Sequence, residues 1–343
     1  MANRRVVLIG SVPLPSAATV FSEVSRRIGP ACASVPDGET GPRLDWIGWY
    51  YGHVCRNPAL ERVDPNEQGF MPALRLRDGL TWTEVDFRPT GYLDAALQSY
   101  ATFRDLKQRG VIAAGTRFQV SMPTPLMLST PIVGPRDAVI QAHERALFGE
   151  LRDLTQAIPG EELTIQWDFA GEIVNAELRR QGKRFRADDA AQPPLAQGVE
   201  ALRRACEAVP EDVELGVHCC FGDPGGRHIV EPLDAATPVQ AIREFLARVG
   251  RRVDWVHVPV PIERDDAAYF EPLRSLVNMD RTLLILGLIH QEDGVEGARR
   301  RMAAAASASL VNYGVATECG LGRINPAIMP LLLDLHRQVA QLQ

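Results

Sequence analysis

Apolar and polar positions alternate in blocks along the whole chain. Short apolar segments rich in β-branched residues are followed by longer ones in which apolar residues recur every three or four positions, which is typical of strands alternating with helices. The pattern predicts strands at residues 5–9, 32–35, 117–120, 163–167, 213–217, 253–258, 283–286 and 310–315. It predicts helices near residues 17–28, 92–109, 136–158, 194–209, 238–249, 267–277, 294–306 and 326–342.

This alternation predicts an α/β fold. Crossover connections between strands are right-handed, so the strands run parallel, and eight of them can close a barrel. We therefore predict a single (βα)8 TIM-barrel domain over residues 1–343, with an irregular, aromatic-rich insertion at about residues 42–89. A doubly wound open sheet is the alternative, but the residues from Gly10 to Pro13 lack its glycine fingerprint.

Composition and charge narrow the class of protein. The 343 residues are 45% hydrophobic and 23% charged, with a net charge of -6, which is typical of a globular protein with a sizeable core. There is no dense basic patch for a nucleic acid and no apolar run long enough to span a membrane. Six cysteines, two of them adjacent, do not suggest a disulfide framework, so we expect a reducing cytoplasm.

Polar residues whose side chains could act as metal ligands, acids or bases lie at or just after the ends of the predicted strands. In an α/β barrel this edge carries the active site. The residues are Ser11, Glu39, Ser121, Asp168, His218, Cys220, His257, His290 and Cys319.

The fifth predicted strand ends in His218-Cys219-Cys220. Residues two apart in a strand point the same way, so His218 and Cys220 project together while Cys219 faces away. An imidazole and a thiolate are zinc ligands, and Cys319, followed by Gly320, is the obvious third. On its own this spacing is a weak signal, because buried cysteine commonly serves as a small hydrophobic residue.

With these motifs in hand, the chain resembles the cobalamin-independent methionine synthase superfamily, and specifically its C-terminal zinc-containing barrel. Ile9-Gly10-Ser11 is similar to the opening I-G-S of that family, and Gly38-Glu39 is similar to its G-E segment. Met122 to Pro125 resembles its G-P-V-T stretch, and Gln166-Trp167-Asp168 resembles Q-I-D. His218-Cys219-Cys220 matches H-x-C, and Glu318 to Leu321 matches D-C-G-L.

The resemblance implies a site as well as a fold. It implies that His218, Cys220 and Cys319 bind Zn²⁺, that the metal binds an acceptor thiol, and that Asp168 holds an amino group of the substrate. The expected substrates are a small-molecule thiol and an alkyl or methyl donor. A thiol bound to zinc is deprotonated yet remains able to attack an alkyl carbon.

The chain also departs from the family pattern. Pro259 falls about where the family has a zinc-binding Glu, with His257 and Glu263 as nearby substitutes, and Phe169 replaces the acid that follows Asp168. The N-terminal half of the synthase has no counterpart here. We therefore expect a zinc-dependent methyl or alkyl transferase that does not use folate and homocysteine. The alternatives are a lyase of the uroporphyrinogen decarboxylase type and a non-catalytic zinc- or ligand-binding barrel.

Further roles are predicted by position. His290 and Asp168 are the predicted catalytic residues, with His290 donating a proton to the leaving group. Ser11, Glu39, Asp168 and Trp46 are predicted to contact the substrate, with Trp46 part of an aromatic lid. For each of these side chains, a capping, turn or packing role is the alternative.

Overall fold

The structure is a computed structural model that describes residues 3–64, 71–183, 194–276, 279 and 281–342. The strands of these residues are β1 (Ser34–Pro36), β2 (Leu60–Arg62), β3 (Leu74–Leu76), β4 (Arg117–Pro123), β5 (Ile132–Val133), β6 (Leu163–Phe169), β7 (Glu214–Cys219), β8 (Trp255–Pro259), β9 (Leu283–Ile289) and β10 (Tyr313–Thr317). The helices are α1 (Ala17–Arg27), α2 (Trp46–Val54), α3 (Tyr92–Gln108), α4 (Pro125–Leu128), α5 (Arg136–Ala157), α6 (Gly171–Arg180), α7 (Leu195–Glu207), α8 (Ala236–Leu246), α9 (Ala267–Phe270), α10 (Gly294–Ser307) and α11 (Met329–Ala340).

A curled parallel sheet of seven strands forms the framework, in the order β1-β4-β6-β7-β8-β9-β10. The predicted α/β class is confirmed. Its strands are almost continuously apolar because helices cover one face and the other is buried as well. On that second face Trp255 is accommodated by Gly216, where a Cβ would lie 2.1 Å from the indole ring.

Residues 5–9, predicted as the first strand, form isolated bridges instead of a continuous strand. These are parallel bridges at Val6, to Cys32 on one side and to Val315 on the other. The amide of Val7 also donates to the carbonyl of Val315 over 3.0 Å. The chain turns at Gly10, whose φ is +83°. The segment thus touches both ends of the sheet through single bridges, without a full ladder, and closure into an eight-stranded barrel stays a prediction.

The prediction of an irregular stretch at 42–89 is wrong in part. Helix α2 begins after Asp45, whose side chain accepts a hydrogen bond from the amide of Gly48. Strands β2 and β3 pair antiparallel, and β5 joins them in a second, three-stranded sheet. Aromatic residues have modest helix propensity, so the helix depends on tertiary packing, which buries Tyr50 and Tyr51.

Two other elements differ from the pattern. Helix α6 lies between the predicted strand at 163–167 and the predicted helix at 194–209, where the pattern predicts no element. Its sequence mixes acids and arginines that leave only a narrow apolar stripe. The predicted helix at 267–277 is the short α9 followed by a 3-10 helix, Glu271–Leu276, which contains Pro272. None of the described helices combines the length and the apolar character needed to cross a membrane.

Candidate metal and substrate site

Strand register places three polar residues in one row at the C-terminal edge of the sheet. Asp168 on β6 pairs with His218 on β7, and His218 pairs with His257 on β8. Paired residues of neighbouring strands project to the same side, so the three side chains are neighbours. Cys319 comes two residues after β10, the last strand in the order of the sheet, and its sulfur contacts the sulfur of Cys220.

His218, Cys220 and Cys319 converge on one point. Their potential ligand atoms all lie within 4.8 Å of one another, and the two sulfurs are 3.8 Å apart. Two thiolates held at ~2.3 Å by a tetrahedral zinc ion would be separated by about 3.8 Å. The amide of Gly222 donates a hydrogen bond to the sulfur of Cys220 over 3.3 Å. Cys219 is buried and lies outside this cluster.

The hydrogen bonds of two histidines define which nitrogen of His218 is available. Nε2 of His257 lies 3.1 Å from the carbonyl oxygen of Thr317, which can only accept, so this nitrogen carries the proton. Nδ1 of His257 is then an acceptor, and Nδ1 of His218 donates to it over 2.8 Å. This leaves Nε2 of His218 unprotonated. That atom is buried and has no hydrogen-bond partner, as expected of a metal ligand.

Burial keeps both imidazoles neutral. It lowers the pKa of His218 well below its ordinary value, with a further contribution from His257, and it lowers the pKa of His257 to about 3. The hydrogen bond with the neighbouring Cys220 sulfur, followed by burial, raises the pKa of Cys319. A thiol pair of this kind needs a cation to be held as thiolates. The donor set therefore fits a soft divalent metal such as zinc.

Two carboxyls lie near the ligand cluster, one buried (Glu39) and one half-buried (Asp168). Burial raises the pKa of Glu39 to about 8, although the hydroxyl of Ser11 donates a hydrogen bond to its carboxylate. Burial also raises the pKa of Asp168 to about 7, against a hydrogen bond of 2.8 Å from Gln166. Carboxyls of this kind can exchange a proton with a substrate near neutral pH.

The loop before Glu39 is held by Asp37. Its carboxylate accepts hydrogen bonds from the amide of Glu39 at 2.8 Å, from Arg43 at 2.5 Å and from Ser99 at 2.7 Å. Glu39 has a φ of +49°, which is rare for a residue with a side chain. Asp37 thus holds Arg43 as its ion-pair partner and fixes the strained backbone that aims Glu39 at the cavity.

One cavity joins most of the predicted site residues. Ser11, Glu39, Trp46, Asp168 and the three candidate ligands all line it. Its apolar lining residues are Ile9, Leu44, Trp46, Ile47, Met71, Met127, Ala170, Val174, Pro224 and Ile229.

The predicted aromatic lid divides into two groups. Trp46 lines the cavity. Trp49 packs edge-on against Tyr92, and Phe87 stacks on His143 at 4.0 Å. Of the described aromatics in the insertion, Trp46 is therefore the cavity residue, and these other rings anchor the insertion to α3 and α5.

His290 lies in a neighbouring cavity, which shares Cys220 and Cys319 with the first. Its Nε2 donates to the carbonyl of Val260 over 2.9 Å, and its Nδ1 is 3.8 Å from the carboxylate of Glu318. Burial lowers the pKa of His290. The structure therefore separates His290 from Asp168, placing them on opposite sides of the ligand cluster.

The substitutes for the missing zinc-binding Glu do not join the cluster. Both ring nitrogens of His257 are hydrogen-bonded, and Glu263 lines the neighbouring cavity. The carbonyl of Pro259 accepts a hydrogen bond from Tyr269 over 2.6 Å. Among the described residues, the cluster thus offers three candidate protein ligands, and a tetrahedral metal ion held by them would keep a fourth position for a substrate atom or water.

Asn175, Asp223 and Arg323 are polar residues of the first cavity that sequence reasoning missed. Asn175 lies on α6, a helix that the pattern does not predict. Arg323 and Asp223 form an ion pair of 3.1 Å at the cavity wall. Arg323 follows the Cys319 motif by four residues and Asp223 follows Cys220 by three, so proximity to the ligands was the available signal.

The fold and the site together define an α/β protein that carries a His/Cys/Cys cluster at the C-terminal edge of a curled parallel sheet. The chain matches no known family, and no curated protein matches it. Among solved structures, it is similar to a B12-independent methionine synthase from a Shewanella species, solved in complex with selenomethionine. The identity is 14%, the match covers 99% of this chain and 97% of that chain, and the TM-score is 0.59. The likeness shows a common fold.

Proposed function

We propose that the chain is a zinc-dependent transferase that moves a methyl or other alkyl group to or from a substrate thiol. The observation that carries the proposal is the convergence of the unpartnered Nε2 of His218 with two sulfurs 3.8 Å apart at the wall of a cavity. The expected ligands of Zn²⁺ are His218, Cys220 and Cys319. The similar fold of a methionine synthase supports the same class of reaction.

When bound, zinc would supply a positive charge that holds the substrate thiol as a thiolate. Two protein thiolates and a neutral imidazole leave that centre close to electrically neutral, so the substrate sulfur stays electron-rich. Asp168 and Glu39 would contact the substrate in the first cavity, together with Ser11 and Trp46. To protonate the leaving group from the neighbouring cavity, His290 would have to carry a second proton on Nδ1, beside Glu318, because its Nε2–H already donates to the carbonyl of Val260.

We also propose that residues 5–9 close the sheet into an eight-stranded barrel. The bridges from Val6 to both Cys32 and Val315 support this closure. It would place Ser11, just after this segment, at the same edge as the other site residues.

Metal analysis tests the site directly. Purified protein should contain about one zinc per chain, and Cys220→Ser and Cys319→Ser should each lose most of it, because each removes a converging ligand. Cys219→Ser is the matched control and should keep its metal. Full zinc content in both ligand variants would contradict the assignment.

A transfer assay separates the proposal from its alternatives. Zinc-loaded protein should alkylate a thiol when given an alkyl donor, whereas a non-catalytic binding barrel would hold zinc without turnover. A lyase of the uroporphyrinogen decarboxylase type would work equally well after the metal is removed. The similar methionine synthase has about the same chain length, so length carries no argument against methionine synthesis. Methyl-tetrahydrofolate with homocysteine is therefore one of the pairs to assay, and we expect it to be inefficient.

A further inference from the structure

Carboxyl groups outnumber cations in the first cavity. Its described lining contains three carboxyls, those of Glu39, Asp168 and Asp223, against the single guanidinium of Arg323. That guanidinium is paired with Asp223 at 3.1 Å. Arg43, the nearest cation on the loop of Glu39, is bound by Asp37 at 2.5 Å. The described lining therefore holds no cation that lacks a carboxylate partner and could receive a substrate carboxylate.

The rest of the lining is mostly apolar. Trp46 and Ile47 of α2, Met127 of α4 and Val174 of α6 enclose the space beside the ligand cluster, and Met71 and Ile229 complete this wall. Apolar surface of this kind binds apolar substrate groups by removing both from water. Among the charged groups of the lining, Asp223 and Arg323 pair with each other, which leaves the carboxyls of Asp168 and Glu39 to contact a substrate.

From this arrangement we infer that the thiol taken by the site carries an apolar body and an amine or hydroxyl, but no carboxylate. The inference rests on the proposed function and names its substrate class. A carboxylate in this cavity would be taken out of water without an unpaired cation to receive it, and burying an unpaired charge disfavours binding strongly. An amine or hydroxyl would instead donate to the carboxylate oxygens of Asp168 or Glu39.

The test uses a pair of thiols that differ only in the carboxylate. Homocysteine carries an ammonium and a carboxylate, and 3-aminopropane-1-thiol is the same molecule without the carboxylate. The protein is loaded with Co²⁺ in place of zinc, because a thiolate that binds cobalt gives a charge-transfer absorption band that can be titrated without turnover. We expect 3-aminopropane-1-thiol to bind about tenfold or more tightly than homocysteine. A third probe, 2-phenylethanethiol, reports on the apolar wall.

Variants assign the effect to its residues. Asp168→Asn should weaken the binding of 3-aminopropane-1-thiol and leave the binding of 2-phenylethanethiol unchanged. Trp46→Ala should weaken the binding of 2-phenylethanethiol and leave that of 3-aminopropane-1-thiol unchanged. Homocysteine binding as tightly as its decarboxylated analogue would overturn the inference alone. Preferential binding of homocysteine that disappears in Arg323→Ala would do the same and would identify Arg323 as a carboxylate receptor. No spectral response to any of the three thiols in cobalt-loaded protein would overturn the proposed function, and the inference with it.

Discussion

The most informative perturbation of the site is the removal of His257, which contacts a candidate ligand without being one. In His257→Leu, Nδ1–H of His218 loses its acceptor, and the carbonyl of Thr317 loses its donor. His257 is fully buried, so water cannot replace it without rearrangement. A buried polar group left unpaired costs about 1–3 kcal/mol. This range agrees with the 10–100-fold loss of metal affinity, about 1.4–2.7 kcal/mol, typical of outer-sphere partners.

Two further variants separate the two hydrogen bonds of His257. In His257→Asn the amide oxygen can take the place of Nδ1 and accept from His218, while the donation to Thr317 is lost. In His257→Gln the amide nitrogen can take the place of Nε2 and donate to Thr317, while the acceptor for His218 is lost. Because the acceptor fixes the tautomer of His218, we expect Asn to retain more zinc affinity than Gln, with Leu the weakest.

Zinc affinity would be measured by competition with a chromophoric chelator at fixed pH. Circular dichroism and urea unfolding of the metal-free variants would show whether the fold is intact. Zinc affinity of His257→Leu within about twofold of wild type would refute the proposal that His257 fixes the tautomer of His218. Weaker binding by Asn than by Gln would mean that the bond to Thr317 matters more than the bond to His218.

Three other predictions follow from the structure. Trp46→Ala should raise KM for an apolar substrate without changing zinc content, because Trp46 lines the cavity. Trp49→Ala should lower the unfolding midpoint and leave KM unchanged, because Trp49 packs against Tyr92. Equal effects of the two variants on KM would mean that both tryptophans belong to a lid over the substrate. Glu39→Gln should gain stability relative to wild type as pH rises from about 4.5 to about 8, by a few kcal/mol. The folded chain keeps a proton on Glu39 in that window while the unfolded chain has lost it, so a flat difference in urea unfolding against pH would disprove the raised pKa. Gly287→Ala should lower the free energy of unfolding by about 1–3 kcal/mol in urea unfolding, because its Cβ would lie 2.6 Å from Nε2 of His257 and 2.9 Å from the Thr317 oxygen. Unchanged stability would show that the neighbouring residues move to accommodate the added Cβ.

The order of elements was accessible from the sequence because each strand is short, apolar and followed by an amphipathic helix. The convergence of His218, Cys220 and Cys319 was accessible for a related reason. Parallel strands present their C-terminal ends at one edge, so polar residues at those ends meet even when they are far apart in the chain.

The parts that sequence reasoning missed depend on tertiary contacts. Helix α2 has an aromatic sequence with no clear helical pattern and is stabilised by the residues that bury Tyr50 and Tyr51. The role of His257 depends on strand register, which pairs it with His218 and which no local pattern reveals. The separation of His290 from Asp168 depends likewise on how two loops diverge from the same sheet edge.

The two sulfurs of the cluster have a consequence for the chain as a polymer. Cys220 and Cys319 are 99 residues apart in sequence yet 3.8 Å apart in space. An ion that joins them acts as a cross-link, and closing a loop of about 100 residues removes chain entropy from the unfolded state worth about 4–5 kcal/mol by the formula used for disulfides. The same atoms that would activate a substrate would therefore also tie the C-terminal third of the chain to its middle, so chelation should lower the free energy of unfolding by a comparable amount.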